Sequence, residues 1–170
     1  MSQAADMTGK PSDEAMLVLT FDLQGETFAL GADLVREVLD VSPETKVPGA
    51  PPFVDAVINF RGKVIPLADL RLAFGMERTE ASRDSRIVVI EHEILGEPTL
   101  IGLRADKVHE VTSIPLHDTE DAPRVGLRWR TDFIRCLAKR EGELIVVPDL
   151  AHIFATRGGA VGTVVPFAQS

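Results

Sequence analysis

Apolar and polar residues alternate over short stretches along most of the chain, with the two-residue period that is typical of β-strands. Every odd position from Leu17 to Leu23 is apolar, and Thr27 to Leu30 continues the pattern after the turn residues Gln24-Gly25-Glu26. Arg86 to Glu93 has four consecutive apolar residues at its centre, which indicates a strand buried on both faces. These patterns predict an all-β protein with short helices.

The middle of the chain predicts a hairpin followed by a short helix. Phe53–Phe60 and Lys63–Leu67 have strand-like patterns and are separated by Arg61-Gly62. A rigid loop with three prolines, residues 48–52, precedes them, and a charged loop, residues 77–86, follows. Residues 69–74 predict a short helix, with Asp69 as its N-cap and Gly75 in a left-handed conformation after its end.

Two blocks of sequence recur in the same order, which indicates an internal repeat. Residues 32–38 and 105–111 are identical at five of seven positions, and residues 53–74 resemble residues 133–154. We therefore predict two similar β units, at residues 16–80 and 84–154, each with about five strands that form a small barrel. We expect the units to pack through a shared apolar seam, which is a natural groove for a partner.

The two ends of the chain differ from the region between them. Residues 1–15 are small, polar and acidic, and they predict a disordered tail. Residues 156–170 contain three glycines and predict a flexible tail, in which Val164, Val165 and Phe167 form a small apolar patch. That patch is either a docking peptide or part of a frayed end.

Composition narrows the class of protein. The 170 residues carry a formal net charge of −8, which argues against non-specific binding to nucleic acid and against docking on an anionic membrane. No stretch of 18 apolar residues occurs, so we expect no membrane span and no direct membrane insertion. A single cysteine, Cys136, excludes an intrachain disulfide and fits a reducing compartment, so we expect the cytoplasm.

The chain carries no signature of catalysis or cofactor binding. It has no Walker loop, no dinucleotide-binding fingerprint and no H-E-x-x-H motif. The four histidines, His92, His109, His117 and His152, are isolated from one another, which argues against a zinc site. Cys136 lies among apolar residues, so we interpret it as a small core residue and not as a nucleophile. We therefore expect neither an enzyme nor a bound cofactor or metal.

The block from Asn59 to Leu70, N-F-R-G-K-V-I-P-L-A-D-L, resembles the signature of the CheW family of chemotaxis adaptors. Residues 35–38 and 101–108 resemble two further segments of that family, and the resemblance extends over residues 16–155. It implies two tandem five-stranded SH3-like β-barrels that share a core. It also implies a non-enzymatic scaffold that couples chemoreceptors, the methyl-accepting chemotaxis proteins, to a CheA-type histidine kinase in signal transduction.

The resemblance implies specific partners for a free-standing adaptor. The hairpin tip of a chemoreceptor would lie in the groove between the barrels, and the regulatory domain of the kinase would dock at another surface. The protein would be a monomer alone and part of a larger cytoplasmic array associated with membrane receptors. Two alternatives remain: an adaptor of a related chemosensory pathway, such as type IV pilus motility or surface sensing, and a β-barrel enzyme with an unrecognised site.

The resemblance also implies the residues of the binding site. It relates Arg61 to receptor coupling and makes Glu37 its salt-bridge partner, with an ordinary solvated ion pair as the alternative. Glu141 stands at the position of Arg61 in the second unit, so the barrel itself does not require an arginine. Four apolar residues line the receptor groove or belong to the barrel core, and alternation along a strand requires some of them to be core: Val35, Val38, Val57 and Ile58.

The chain departs from the family pattern at a few positions, and Trp129 is the most conspicuous. Trp129, between Arg128 and Arg130, is not typical of the family. It marks either a strand that covers the edge of the core or a surface for one particular partner.

Overall fold

The computed structural model describes residues 14–123 and 130–157, which form two six-stranded sheets. The strands are β1 (Ala15–Leu23), β2 (Glu26–Gly31), β3 (Val35–Asp40), β4 (Thr45–Lys46), β5 (Ala56–Phe60), β6 (Lys63–Ala68), β7 (Arg86–Ile94), β8 (Glu97–Ala105), β9 (Lys107–Pro115), β10 (Thr119–Glu120), β11 (Ile134–Arg140) and β12 (Glu143–Pro148). One short α-helix, α1 (Leu70–Ala73), follows β6, and residues 150–157 are helical. The prediction of an all-β protein with short helices is confirmed.

The strands divide between a central sheet and a terminal sheet. The central sheet has the order β3-β7-β8-β6-β5-β4, and the terminal sheet has the order β10-β11-β12-β2-β1-β9. Neighbouring strands are antiparallel, apart from the parallel pairs β2–β12 and β6–β8. Each sheet curls on itself, as expected for an SH3-like barrel, and each gains a sixth strand of only two residues.

The units predicted at residues 16–80 and 84–154 do not coincide with the sheets. The central sheet is built from residues 35–105, whereas the terminal sheet takes β1 and β2 from one end of the chain and β9 to β12 from the other. Each repeat thus contributes its first hairpin to one sheet and its remaining strands to the other. The repeated block at residues 32–38 and 105–111 lies where the chain crosses between the sheets, so the repeat is present but its halves are interleaved.

The shared apolar seam is the main core of the molecule. Its cluster of buried residues draws on both sheets and includes the contacting rings of Phe21, Phe28, Phe74 and Phe133. Each sheet also encloses a smaller apolar cluster of its own, which contains Ile58 in the central sheet and Ile145 in the terminal sheet. Each large side chain buried in this way stabilises the fold by roughly 1.5–3 kcal/mol relative to exposure.

Four hairpins turn through the same two-residue geometry. In each turn the first residue has φ between 50° and 54° and the glycine that follows has φ between 80° and 83°: Gln24-Gly25, Arg61-Gly62, Leu95-Gly96 and Glu141-Gly142. These are type I′ turns, whose twist matches that of the flanking strands. The turn predicted at Arg61-Gly62 is therefore present, and it fixes the position of the Arg61 Cα atom at the tip of the hairpin.

The local predictions around α1 are confirmed, with one exception. The Asp69 side chain accepts a hydrogen bond from the Arg71 backbone N–H at 3.1 Å, and Gly75 has φ +75°. However, the strand predicted from Phe53 begins only at Ala56, because Pro52–Val54 forms a 3₁₀ turn. Pro51 and Pro52 favour such a turn, since proline pre-sets the φ angle and lacks a backbone N–H.

Most of the predicted tails, as well as Trp129, lie outside the described residues. Of the predicted N-terminal tail, Ala15 already belongs to β1. Of the predicted C-terminal tail, residues 156 and 157 belong to the last helical segment.

Candidate partner-binding surface

Glu37 and Arg61 form an ion pair on the outside of the central sheet. The Arg61 Nη2 atom lies 2.5 Å from Glu37 Oε1, and the Arg61 side chain is 73% exposed. Glu37 lies on β3, an edge strand, whereas Arg61 occupies the first position of the β5–β6 turn. The Arg61 guanidinium also lies 5.2 Å from the centroid of the Phe60 ring, so it contacts both a carboxylate and an aromatic ring.

Neither stability nor backbone geometry accounts for an arginine at this turn. An exposed ion pair contributes about 0–1 kcal/mol to folding. The first position of a type I′ turn favours asparagine, aspartate or glycine, because its φ is positive. At the equivalent position Glu141 adopts the same φ of 53°. The Arg61 side chain is thus available for contacts outside the chain.

The four apolar residues given as groove or core residues occupy four different environments. Val38 lies on the exposed side of β3 and is 39% exposed, and Val35 is half-buried against the main core. Val57 belongs to the main core and Ile58 to the interior of the central sheet. Of the two alternatives given for these residues, burial favours the core for Val57 and Ile58: β5 has apolar neighbours on both faces, so successive side chains are both covered.

Val64 is an exposed apolar residue that the sequence reasoning missed. It lies on β6, three residues after Arg61 on the same hairpin, and is 57% exposed. The run Val64-Ile65 obscured it, because two adjacent apolar residues do not reveal which of them faces solvent. The repeat could have helped only after the structure was known: Leu144, the equivalent residue, is also exposed.

A second, weaker copy of this arrangement occurs on the terminal sheet. Glu110, the repeat equivalent of Glu37, lies 3.6 Å from Arg140, and the adjacent Val111 is exposed. The Arg140 side chain is only 35% exposed, about half as much as that of Arg61. The fold therefore produces an edge-strand glutamate twice, but it presents a strongly exposed arginine beside that glutamate only at Arg61.

The remaining reactive side chains are tied to local partners. Cys136 is half-buried, and burial raises the pKa of its thiol, which disfavours the thiolate. His109 lies 2.9 Å from Asp22 and His152 lies 3.0 Å from Asp132. Within residues 14–123 and 130–157, no group of three histidine, cysteine or carboxylate side chains has the geometry of a metal site. No helix in the same ranges is long and apolar enough to cross a membrane.

Comparisons with known proteins identify the family and agree with the fold. The sequence model of the CheW-like domain matches residues 17–158. The chemotaxis protein CheW of Rhizobium meliloti is 28% identical over 81% of this chain and 86% of its own length, and that of Bacillus subtilis is 28% identical over 78% and 82%. The crystal structure of the scaffolding protein TtCheW from Thermoanaerobacter tengcongensis superposes with a TM-score of 0.73 at 35% identity, over 83% of this chain and 88% of that one.

Proposed function

The chain belongs to the CheW-like domain family, and from that premise we propose that it is a non-enzymatic adaptor that couples chemoreceptors to a CheA-type histidine kinase. The observation that carries the proposal is the Glu37–Arg61 pair, which lies exposed on a family scaffold that does not need it. In this function the protein is a monomer by itself and part of a larger receptor array at the cytoplasmic face of the membrane.

The surface around Arg61 has the chemistry that recognises an amphipathic helix. Val38 follows Glu37 on β3 and Val64 lies three residues after Arg61; both offer exposed apolar area, and the ion pair offers both a carboxylate and a guanidinium for polar contacts. A receptor hairpin tip would place its apolar face on the valines and its charged residues on Glu37 and Arg61. Val35 would contribute at the border of this surface, whereas Val57 and Ile58 would support it from beneath.

Signalling would follow from contacts that differ between the active and inactive states of the array, and not from a reaction catalysed by this chain. A kinase domain that is homologous to the adaptor would dock barrel to barrel at a different surface. The adaptor then shifts the population of active kinase only as far as its contacts differ between the active and inactive arrays.

Calorimetry with purified components tests the proposal. The full chain is titrated with the regulatory region of each CheA-type kinase of its source organism, and separately with a receptor signalling fragment. Binding at micromolar Kd or tighter to one kinase and to the fragment supports the adaptor function and identifies the pathway. A folded protein that binds no kinase and no receptor fragment contradicts it.

A further inference from the structure

A cavity of about 380 Å³ opens beside the central sheet, and neither Glu37 nor Arg61 lines it. Its walls come from the connection between β3 and β4, from helix α1, from the loop that precedes β7, and from the end of β8. Its volume lies within the range of about 300–1,000 Å³ that is usual for small-molecule sites. Four apolar residues form the non-polar part of the wall: Val41, Ala81, Ile87 and Ala105.

The charged part of the wall is cationic, in contrast to the acidic protein as a whole. Five basic side chains line the cavity: Lys46, Arg71, Arg78, Arg86 and Arg104. Only three carboxylates do so: Glu44, Glu80 and Asp106. Asp40, Asp55 and Asp69 pair with these cations from outside the lining, so the attraction for an anion comes from the individual basic side chains and not from an excess of charge.

Two of the arginines are held rigidly by a buried carboxylate behind the wall. Asp69 is fully buried and accepts hydrogen bonds from Arg71 Nε at 2.9 Å and from Arg78 Nε at 3.0 Å. Arg78 is tied as well to Asp55 and to the Pro52 carbonyl. These contacts fix the back of the cavity. Lys46 pairs with Asp55 at 3.4 Å and Arg86 pairs with the exposed Asp40 at 3.5 Å, and these longer ion pairs, together with that of Arg104, are the ones that an incoming anion could displace.

Arg104 already holds an anionic group in the cavity. Its Nη1 and Nη2 atoms each donate a hydrogen bond of 2.7 Å to one oxygen of Glu44, in the bidentate geometry that also fits a phosphate. Its Nε atom is buried and finds no hydrogen-bond acceptor among the described residues, because Asp69 Oδ2 lies 3.8 Å away. Glu44 belongs to an irregular segment between β3 and β4 and remains partly exposed, so it is a replaceable occupant.

The fold does not require this charged cluster. In the second repeat Asp149 corresponds to Asp69, but Ala151 replaces Arg71 beside it. Buried ion pairs are not a reliable source of stability, since the cost of desolvation offsets the attraction. The cluster therefore exists in one repeat only, at the cavity that it lines.

We propose that this cavity binds a small phosphate monoester with a flat apolar body, such as a nucleoside monophosphate. The phosphate takes the place of the Glu44 carboxylate on Arg104 and lies close to Lys46 and Arg86, while the apolar body packs against the exposed side chains of Val41 and Ala81. The binding is non-covalent, and it is additional to the adaptor function and independent of it.

Adenosine 5′-monophosphate is the probe for calorimetry with the full chain at low ionic strength, with adenosine and inorganic phosphate as separate titrants. We expect the monophosphate to bind, adenosine not to bind, and added salt to weaken the binding. Backbone amide signals of Ser85 and Ala105 in NMR spectra should shift during the titration, which locates the site. Absence of binding by both the monophosphate and phosphate, or shifts confined to other regions, overturns the proposal.

Two substitutions in the wall of the cavity should change the affinity in opposite directions. Glu44→Gln removes the competing carboxylate and should tighten the binding of the monophosphate about three- to tenfold, whereas Lys46→Gln should weaken it by a similar factor. Arg140→Gln on the terminal sheet is the control and should leave the affinity unchanged. Equal affinities for Glu44→Gln and the wild type would contradict the proposal. None of these measurements involves a kinase or a receptor, so their outcome is separate from that of the adaptor function.

Discussion

The Arg61 side chain is exposed and its backbone is in a left-handed conformation, so the role in recognition that we propose for it can be tested separately from folding. Asparagine adopts that conformation more readily than arginine. We expect Arg61→Asn to keep or slightly raise the free energy of unfolding while it lowers the affinity for a receptor fragment about tenfold or more, as measured by urea denaturation and calorimetry.

The matched control is Glu141→Asn, which makes the same change in the equivalent turn of the terminal sheet. This variant should bind the receptor fragment as the wild type does. If Arg61→Asn and Glu141→Asn retain the same receptor affinity, the Arg61 side chain has no part in recognition.

Leu95 is a second turn residue whose side chain is poorly suited to its left-handed backbone conformation. It has φ +54° at the tip of the β7–β8 hairpin, and its side chain is 89% exposed. Replacing it with asparagine should raise the free energy of unfolding by about 0.5–1 kcal/mol, because no apolar burial is lost and the left-handed conformation is relieved. Urea denaturation measures the change. Leu95→Ala, which lacks the asparagine preference, should give a smaller gain or none, and equal gains would contradict this explanation.

Among the individual site residues, the sequence predicted the ion pair but only part of the exposed apolar surface. The family resemblance identified Glu37 and Arg61 because they lie in ungapped motifs. It could not distinguish Val38 from Val57, since exposure depends on which faces of a strand are covered by other strands. That information is non-local, and an alternating pattern at one strand does not contain it.

Among the elements, helix α1 and the segments around it combine burial in the main core with a network of ion pairs. The hydrogen bonds from Arg104 hold the pKa of Glu44 below its usual range. Burial alone would raise the pKa of Asp55, but the hydrogen bond and charge of Arg78 outweigh it, so this pKa is also lowered. A carboxyl group with a lowered pKa stabilises the fold above its unfolded pKa, which is about 4, and loses that effect as the pH falls further.

We therefore expect the free energy of unfolding to fall as the pH is lowered from about 5 to about 3. Arg78→Gln should reduce this slope, because Asp55 then loses the partner that lowers its pKa, and should also destabilise the fold at neutral pH by about 1–3 kcal/mol. Urea denaturation at a series of pH values measures both effects. An unchanged slope would show that Asp55 does not depend on Arg78.

Most elements were predictable because their signals are local. The four-residue apolar centre of β7, the Asp69 cap and the Arg61-Gly62 turn each follow from a few adjacent residues. The start of β5 was misplaced because Phe53 and Val54 fit a strand pattern equally well, although they are buried as part of a 3₁₀ turn. Two apolar residues do not carry enough periodicity to distinguish these structures.

In the whole molecule, the exchange of hairpins makes each half of the chain dependent on the other. A fragment of residues 1–83 contains β1 and β2 but none of the strands they pair with outside their own hairpin. We expect this fragment alone to show no native-like dispersion in NMR spectra, and residues 84–170 to behave in the same way. A mixture of both fragments should recover the native spectrum. Independent folding of either fragment would contradict the interleaved arrangement.

The repeat alone could not predict this exchange. Similarity between two segments indicates that they fold alike, but it does not specify whether a strand pairs within its own copy or with the other. The parallel pairs β2–β12 and β6–β8 show that strands pair with the other copy, because each pair joins strands from different repeats. Their residues carry no mark of the partner, because an apolar strand fits many neighbours.

The interleaved sheets also set an order of events during synthesis. All strands of the central sheet are available once residue 105 has left the ribosome, whereas β1 and β2, which emerge first, wait for β12 to end at Pro148. Throughout that interval the core around Phe21 and Phe28 is incomplete, because the segment that contains Phe133 has not yet folded onto it. The earliest part of the nascent chain is therefore the last to be sheltered, and it is where a chaperone would be needed most.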